Sequence, residues 1–278
     1  MSLVDTYADF IGSVRYRETN LPSGPTPVWD MGAGRPIVLL HGIAAGRRVF
    51  CRVTPRLAEG YRVIVPPLRG EVRPAPHVTH DELVDDLGAL LDALDLDDVT
   101  LLGTSFGGTV ALEYAARRDP RVAAVVVQGT FRRFRLRPFD RAAHALSYLF
   151  PARLGAAYYR RRVRLGAESR LLAEHAPGLD VLLPDWSGKT PFATLRRRIR
   201  IIAALDLAPA VKRIDVPLAF LHGSRDKVVP RALFDELKAL RPDARHVLLD
   251  GVGHNAALTH PEALVDAVAT SSQAPPGA

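Results

Sequence analysis

One short stretch of this chain sets the architecture that we expect for the rest: Val99-Thr100-Leu101-Leu102-Gly103-Thr104-Ser105-Phe106-Gly107-Gly108. Its apolar first half predicts a buried strand, residues 109–118 predict a helix, and a sharp turn centred on Ser105 joins the two. Glycine at positions 103 and 107 leaves room where the two backbones approach each other, so Ser105 can hold a strained conformation with its hydroxyl exposed. In this context the pattern G-x-S-x-G predicts a nucleophilic serine.

A serine hydroxyl attacks well only when a base removes its proton and an acid orients that base. Of the nine histidines, His254 is the one in a glycine-bracketed loop after a late predicted strand. The candidate acid is Asp226, in the loop that follows the predicted strand 216–221. Asp250, which precedes His254 in the same loop, is the alternative acid.

The other histidines are expected to have structural roles. His41 is expected to brace its loop, and His222 lies in a similar His-Gly pair at the end of a strand. The rest are expected at the surface or in local hydrogen bonds: His77, His80, His144, His175, His246 and His260.

The chain resembles single-domain enzymes of the α/β-hydrolase fold that carry a cap. Four segments carry the resemblance: Leu39-Leu40-His41-Gly42, the Ser105 turn, the acid loop 223–230 and Gly253-His254. The resemblance implies Asp226 as the acid and His254 as the base, in the chain order Ser, Asp, His. It also implies an oxyanion hole formed by the backbone N–H groups of Ile43 and Phe106.

One loop departs from the pattern of that family. Its members commonly have an Asp shortly before an Arg-Gly pair after the fourth strand, whereas here Pro67 precedes Arg69-Gly70. That Asp usually stabilises a loop, so its absence leaves the three candidate residues intact. It makes one wall of the site harder to predict, and the proline-rich run to Pro76 indicates a stiff, extended connection.

Length and composition indicate a globular enzyme with one sizeable core. The chain has 278 residues, 47% of them apolar, and its mean hydropathy is near zero. No apolar run is long enough for a transmembrane helix, and the N-terminus lacks the pattern of a secretory signal. The single cysteine, Cys51, excludes an internal disulfide and argues against a cysteine-based metal site. We expect a cytoplasmic protein that does not bind membranes.

Positive charge is concentrated in the middle of the chain. Residues 131–200 contain sixteen Arg and Lys against five Asp and Glu, a net charge of +11, while the whole chain carries +7. The basic clusters lie among helix-forming residues and match no nucleic-acid motif, so nucleic acid is not an expected partner. A solvated, arginine-rich helical surface is the simpler explanation, and attraction of an anionic substrate is the alternative.

Predicted strands and helices alternate through most of the chain, which predicts an α/β fold with a mainly parallel central sheet flanked by helices. Between residues 131 and 209 helical patterns replace the alternation, which predicts an inserted helical cap over Ser105. Most of its aromatic side chains are expected to pack onto the core. The core is then residues 1–130 and 210–270, and the polar, proline-containing residues 271–278 predict a disordered tail.

The leading hypothesis is a serine hydrolase that cleaves a small carboxylic ester through an acyl-enzyme, without a metal or an organic cofactor. Hydrolysis of a carbon–carbon bond or of an acyl-CoA thioester is the alternative within the fold. A ligand receptor that keeps the three residues but turns over slowly is the alternative from another class. Serine at position 105 argues against epoxide hydrolase or dehalogenase chemistry, which needs a carboxylate nucleophile.

Overall fold

The structure is a computed structural model, and it describes residues 3–187 and 189–271. Its strands are β1 (Tyr16–Leu21), β2 (Gly24–Met31), β3 (Pro36–Leu40), β4 (Arg62–Val65), β5 (Val99–Thr104), β6 (Val122–Gln128), β7 (Leu218–Gly223) and β8 (Arg245–Leu249). They form one sheet in the order β1-β2-β4-β3-β5-β6-β7-β8. Strand β2 runs antiparallel to β1 and β4, and the other neighbours are parallel. The mainly parallel sheet predicted from the sequence is confirmed.

Helices cover both faces of this sheet and fill the long connection between β6 and β7. They are α1 (Leu3–Ser13), α2 (Thr54–Leu57), α3 (His80–Ala93), α4 (Phe106–Ala115), α5 (Pro138–Leu146), α6 (Ala152–Leu165), α7 (Ala167–His175), α8 (Leu179–Ser187), α9 (Phe192–Ala204), α10 (Ala208–Arg213), α11 (Arg231–Leu240), α12 (Ala256–Thr259) and α13 (Pro261–Ser271). Two 3-10 helices, Gly46–Phe50 and Ser147–Leu149, complete the set in the described residues. No helix among these residues is long and apolar enough to cross a membrane.

The central strands are buried on both faces, because helices cover a parallel sheet from both sides. All six residues of β5 are buried, as are the last four of β3. Successive side chains of a strand point to opposite faces, and Leu39 and Leu40 accordingly belong to different layers of the core. Leu40 packs with Leu87 of α3 and Val110 of α4, while Leu39 packs on the opposite side of the sheet. This packing fixes the carboxyl ends of the strands along one edge.

The sequence predicts a capping box at the start of α3, because Glu82 follows Thr79 by three residues. The Thr79 hydroxyl accepts a hydrogen bond from the backbone N–H of Glu82 at 3.2 Å, and the Thr79 N–H donates to the Glu82 carboxylate at 2.8 Å. This reciprocal pair satisfies two N–H groups that the first turn of a helix leaves free. The predicted capping box is confirmed.

Several boundaries differ from the predicted ones. The sequence also predicts a helix over residues 49–57, limited by Pro55. The structure has a 3-10 helix there, followed by the short α2 with proline in its first turn. Helix α8 was not predicted, because Pro184 lies inside it and proline is a poor helix former. Helix α1 was not predicted either. Ser271, predicted to start a disordered tail, is instead the buried last residue of α13, and residues 272–278 lie outside the described residues.

The segment between β6 and β7, residues 131–209, is called the helical insertion below. It contains α5 to α9 and the start of α10. Helices α5 and α6 and the 3-10 helix between them contain no buried residue. The side chains of Phe139 and Phe150 are 72% and 56% exposed. The expectation that most aromatic residues of this segment pack onto the core is therefore wrong for these helices.

Candidate functional site

Ser105 sits at the junction of β5 and α4, with φ +51° and ψ −117°. A non-glycine residue adopts such a backbone only where its surroundings impose it. The Ser105 N–H donates to the carbonyl of Gln128 at 2.8 Å, and the Thr130 hydroxyl donates to the carbonyl of Ser105 at 2.9 Å. Both contacts come from the end of β6, so the neighbouring strand holds the strained residue in place.

The glycines of the G-x-S-x-G pattern are required by close contacts between backbones. A Cβ atom at Gly107 would lie 2.1 Å from the carbonyl oxygen of Leu40, and one at Gly103 would lie 2.5 Å from the Cα of Gly108. Because α4 can pack this closely, it starts directly after Ser105, three residues before the predicted start. Tertiary packing here outweighs the low helix propensity of glycine.

Asp226 and His254 meet beyond the carboxyl ends of β7 and β8. The Nδ1 atom of His254 lies 2.7 Å from Oδ2 of Asp226, whose side chain is fully buried. The other oxygen, Oδ1, accepts hydrogen bonds from the backbone N–H groups of Val228 and Val229, both at 2.8 Å. The carboxylate is therefore fixed on both oxygens and can orient the imidazole.

The electrostatics of this pair favour a charged carboxylate and a basic imidazole. Burial alone would raise the pKa of Asp226, but the charge and hydrogen bond of His254 and the backbone donors lower it below the usual value. Burial alone would lower the pKa of His254, but the charge and hydrogen bond of Asp226 and the charge of Glu168 raise it above the usual value. The alternative acid, Asp250, is exposed and accepts a hydrogen bond from the Ser224 hydroxyl instead.

The two candidate oxyanion residues lie on either side of Ser105. Phe106 is the first residue of α4, where the backbone N–H groups of a helix are free and its dipole is positive. The loop after β3 passes close by, since a Cβ atom at Gly42 would lie 3.5 Å from the Cβ of Ser105. Ile43 follows in that loop and lines the same cavity as Ser105.

A buried arginine from the helical insertion contacts both of these residues. Arg198 on α9 is fully buried and donates to the carbonyl of Ile43 at 2.8 Å. It also donates to the carbonyls of Leu68 and Arg69, at 3.2 and 3.1 Å. Its guanidinium carbon lies 5.7 Å from the ring centre of Phe106. Burial lowers the pKa of Arg198 to about 10, so the side chain stays charged at neutral pH.

A cavity of about 1160 Å³ opens onto these groups and is lined by Ser105 and His254. The helical insertion contains nine aromatic residues, and the sequence predicts that only a minority of them line a pocket. Five line this cavity: Phe134, Phe150, Tyr158, Tyr159 and Phe192. Its basic lining residues are Arg132, Arg133, Arg135, Arg137, Arg162, Arg196 and Lys227. A space of this size with mainly apolar walls suits a small organic molecule.

Three carboxylates also line the cavity, and each has a partner. Asp140 pairs with Arg162 at 2.8 Å, Glu236 pairs with Arg132 at 2.8 Å, and Glu168 accepts from backbone N–H groups. Within residues 3–187 and 189–271, four basic side chains of the lining have no carboxylate partner: Arg135, Arg137, Arg196 and Lys227. In the same part of the chain no group of three or more His, Cys, Asp or Glu side chains could hold a metal ion.

A family model described as the alpha/beta hydrolase fold matches residues 35–261, which is most of the chain. The chain belongs to the α/β-hydrolase family. A pimeloyl-[acyl-carrier protein] methyl ester esterase from Aromatoleum aromaticum is 34% identical to it over 241 residues, 81% of this chain and 93% of that protein. The family and the hydrolase-named relatives support a hydrolytic enzyme.

Other relatives of this α/β-hydrolase have different names. A 2-hydroxy-6-oxo-2,4-heptadienoate hydrolase from Pseudomonas putida is 40% identical over 111 residues, which is 37% of this chain and 40% of that protein. The crystal structure of a bromoperoxidase from Bacillus anthracis superposes with a TM-score of 0.79 at 22% identity, covering 94% of this chain and all of that one. The similarity to the bromoperoxidase structure shows the shared fold alone.

The α/β-hydrolase loop after β4, which the sequence left unpredictable at Pro67, is held by charged side chains. Arg69 donates to both carboxylate oxygens of Asp86, at 2.8 and 2.6 Å. Glu71 is almost fully buried, with Oε2 2.8 Å from Nε2 of His41 and Oε1 3.4 Å from Nε of Arg47. Burial alone would raise the pKa of Glu71, but these basic neighbours lower it to about 2. His41 thus braces the loop beside the site, which agrees with the structural role expected for it.

Sequence reasoning missed three contributors to this α/β-hydrolase site: Arg198, Glu168 and Gly129. Gly129 has φ +57°, and a Cβ atom there would lie 3.1 Å from Nδ1 of His254. The sequence did carry a signal for Gly129. It directly follows the buried strand β6, which ends at Gln128, so it lies at the same edge of the sheet as the candidate catalytic residues. The sequence carried no signal that set Arg198 apart from its arginine neighbours.

Proposed function

We propose that this α/β-hydrolase cleaves carboxylic esters through an acyl-enzyme, with Ser105 as nucleophile, His254 as base and Asp226 as orienting acid. One observation carries the proposal. A buried carboxylate holds the imidazole of His254 at 2.7 Å, and that imidazole lines the same cavity as a serine on a strained strand-to-helix turn. The relative named as a methyl ester esterase supports the choice of an ester.

The mechanism follows from the atoms that each group presents. Asp226 accepts a hydrogen bond from the Nδ1–H of His254 and keeps that proton on Nδ1, which leaves Nε2 free to take the proton of the Ser105 hydroxyl. Ser105 attacks the ester carbonyl, and the N–H groups of Ile43 and Phe106 stabilise the oxyanion. His254 then gives its proton to the departing alcohol, and a water molecule activated by the same imidazole releases the acid. These steps use neither a metal nor an organic cofactor.

We propose that the helical insertion, residues 131–209, is a cap on a core formed by residues 1–130 and 210–270. Support comes from the residues that it contributes to the cavity and from the contacts of Arg198 and Glu168 with the core.

We further propose that the acyl part of the substrate is anionic. Four basic side chains of the lining have no carboxylate partner in the described residues and support this part: Arg135, Arg137, Arg196 and Lys227.

We also propose a cytoplasmic protein whose partner is a small molecule, not a nucleic acid or a membrane. The free, buried Cys51 fits a reducing compartment. The second candidate function is hydrolysis of a carbon–carbon bond. The relative named as a 2-hydroxy-6-oxo-2,4-heptadienoate hydrolase, 40% identical over 111 residues, favours it, because the compound in that name is a keto acid without an ester. The same three residues would then act on a ketone in place of an ester.

The decisive experiment is a panel of p-nitrophenyl esters of increasing acyl length, each tested with the wild type and with Ser105→Ala. Rapid turnover that the variant lacks, together with an acyl adduct on Ser105 detected by mass spectrometry, supports an esterase. Tight ligand binding without turnover supports a receptor. Turnover of vinylogous diketones but not of any ester in the panel would favour the carbon–carbon hydrolase.

A further inference from the structure

Glu168 is a carboxylate of the helical insertion that contacts both loops of the acid–base pair. It lies in the first turn of α7 and is partly buried. Its Oε2 atom accepts a hydrogen bond from the backbone N–H of His254 at 2.6 Å. Its Oε1 atom accepts one from the backbone N–H of Lys227, the residue after Asp226, at 3.2 Å. A single side chain thus links the acid loop to the histidine loop.

The surroundings are shaped to hold this carboxylate. A Cβ atom at Gly253 would lie 2.7 Å from Oε2 of Glu168, so glycine before His254 makes room for the contact. The side-chain amide of Asn255 donates to the same oxygen at 3.4 Å. The start of α7 is itself fixed, because the buried Ser169 hydroxyl donates to the carbonyl of Val163 at 2.8 Å.

The carboxylate also places a negative charge near the imidazole. Among the described residues, Asp226, Glu168 and His222 interact electrostatically with His254, and Lys227 lines the same cavity. Burial lowers the pKa of His254, whereas the charges of Asp226 and Glu168 both raise it. Removing the charge of Glu168 should therefore make the imidazole less basic even where the fold is unchanged.

We propose that Glu168 is a positioning residue for the acid–base pair: it clamps the loops of Asp226 and His254 to each other and to the helical insertion. This inference rests on the proposed roles of Asp226 and His254. It makes the insertion part of the catalytic machinery as well as a wall of the cavity.

The test compares Glu168→Gln with Glu174→Gln. Glu174 lies on the same helix and is exposed, and its carboxylate makes an exposed ion pair with Arg225 of the acid loop at 3.5 Å. Such a pair contributes little to stability, so Glu174→Gln removes the same charge without removing the hydrogen bonds that Glu168 accepts from the backbone of the two loops. The first readout is kcat/KM for p-nitrophenyl acetate between about pH 5 and pH 9, because the acid limb of that profile reports the base of the free enzyme. The second is the NMR titration of the His254 imidazole, assigned by comparison with His254→Gln.

In Glu168→Gln we expect the acid limb and the imidazole titration to move to lower pH by about half a unit, because a nearby negative charge is lost. Glu174→Gln should keep the wild-type values. Glu168→Ala, which also loses the clamp, should lower the plateau of kcat/KM by about tenfold. Its thermal unfolding serves as the check that it folds.

Equal imidazole titrations in the wild type and Glu168→Gln would overturn the inference. So would a wild-type plateau in Glu168→Ala. The NMR titration needs no turnover, so a chain that hydrolyses no ester would refute the proposed function while still testing the charge of Glu168.

Discussion

At the scale of single residues, the proposed chemistry depends on Ser105 and His254 acting as one unit. We expect Ser105→Ala and His254→Ala each to reduce ester hydrolysis by on the order of 10⁴-fold or more, since neither group can act without the other. The double variant should lose little more than either single one. Steady-state kinetics on a short p-nitrophenyl ester measures this, with circular dichroism to check the fold. Turnover of Ser105→Ala above a few per cent of wild type, in a preparation free of other esterases, would rule out this nucleophile.

The second prediction separates the two candidate acids. Asp226→Asn should reduce kcat by roughly 10³–10⁴-fold, because an amide can hold the imidazole in the wrong tautomer. Asp250→Asn should change it far less, since the carboxylate of Asp250 is exposed and contacts the Ser224 hydroxyl. The two variants make the same chemical change in two neighbouring loops, so each is the control for the other. The opposite ranking of their kcat values would assign the role to Asp250.

At the scale of the elements, helix α9 stabilises the loops beside Ser105 through Arg198. Replacing Arg198 by Met removes hydrogen bonds to the carbonyls of Ile43, Leu68 and Arg69 and leaves Glu71 with one cation fewer nearby. We expect the free energy of unfolding to fall by about 3 kcal/mol, as is usual when one partner of a buried charged network is removed. The kcat should fall as well, because Ile43 is a proposed oxyanion donor.

The matched control for this third prediction is Arg200→Met. Arg200 is an exposed arginine of the same helix that lies over the ring of Tyr148. Chemical denaturation of both variants gives the comparison. If Arg198→Met is no less stable than Arg200→Met, the buried guanidinium is not what holds the loops.

The elements also show which features a sequence can reveal. The strands and the Ser105 turn were predictable because buried apolar runs and glycines at close contacts are local patterns. Helix α8 was not, since Pro184 obscures it. The roles of Arg198 and Glu168 could not be predicted for another reason. Arg198 contacts Ile43, 155 residues away in the sequence, and Glu168 contacts His254, 86 residues away. Nothing local distinguishes them from other charged residues on amphipathic helices.

At the scale of the whole molecule, the sheet and the helical insertion contribute different parts of the candidate site. Parallel strands bring the loops after β3, β5, β7 and β8 to one edge, where a ligand of such a sheet binds. Side chains of the insertion line the cavity at that edge, and residues 131–200 carry a net charge of +11, more than the +7 of the whole chain. Charge of one sign around a cleft with apolar walls raises the local concentration of ligands of the opposite sign.

The last prediction tests whether this charge serves the substrate. For an ester with a carboxylate in its acyl part, kcat/KM should fall by about threefold or more as salt rises from about 0.01 M to 0.5 M, because the Debye length shrinks from ~30 Å to under 10 Å. A neutral ester of similar size should change far less. Replacing Arg135 and Arg137, which line the cavity, by Gln should remove most of the salt effect. The matched pair Arg160 and Arg161, exposed on α6 outside this cavity, should leave it in place. Equal salt responses of the charged and neutral esters would mean that these arginines are ordinary solvated surface residues with no role in attracting the substrate.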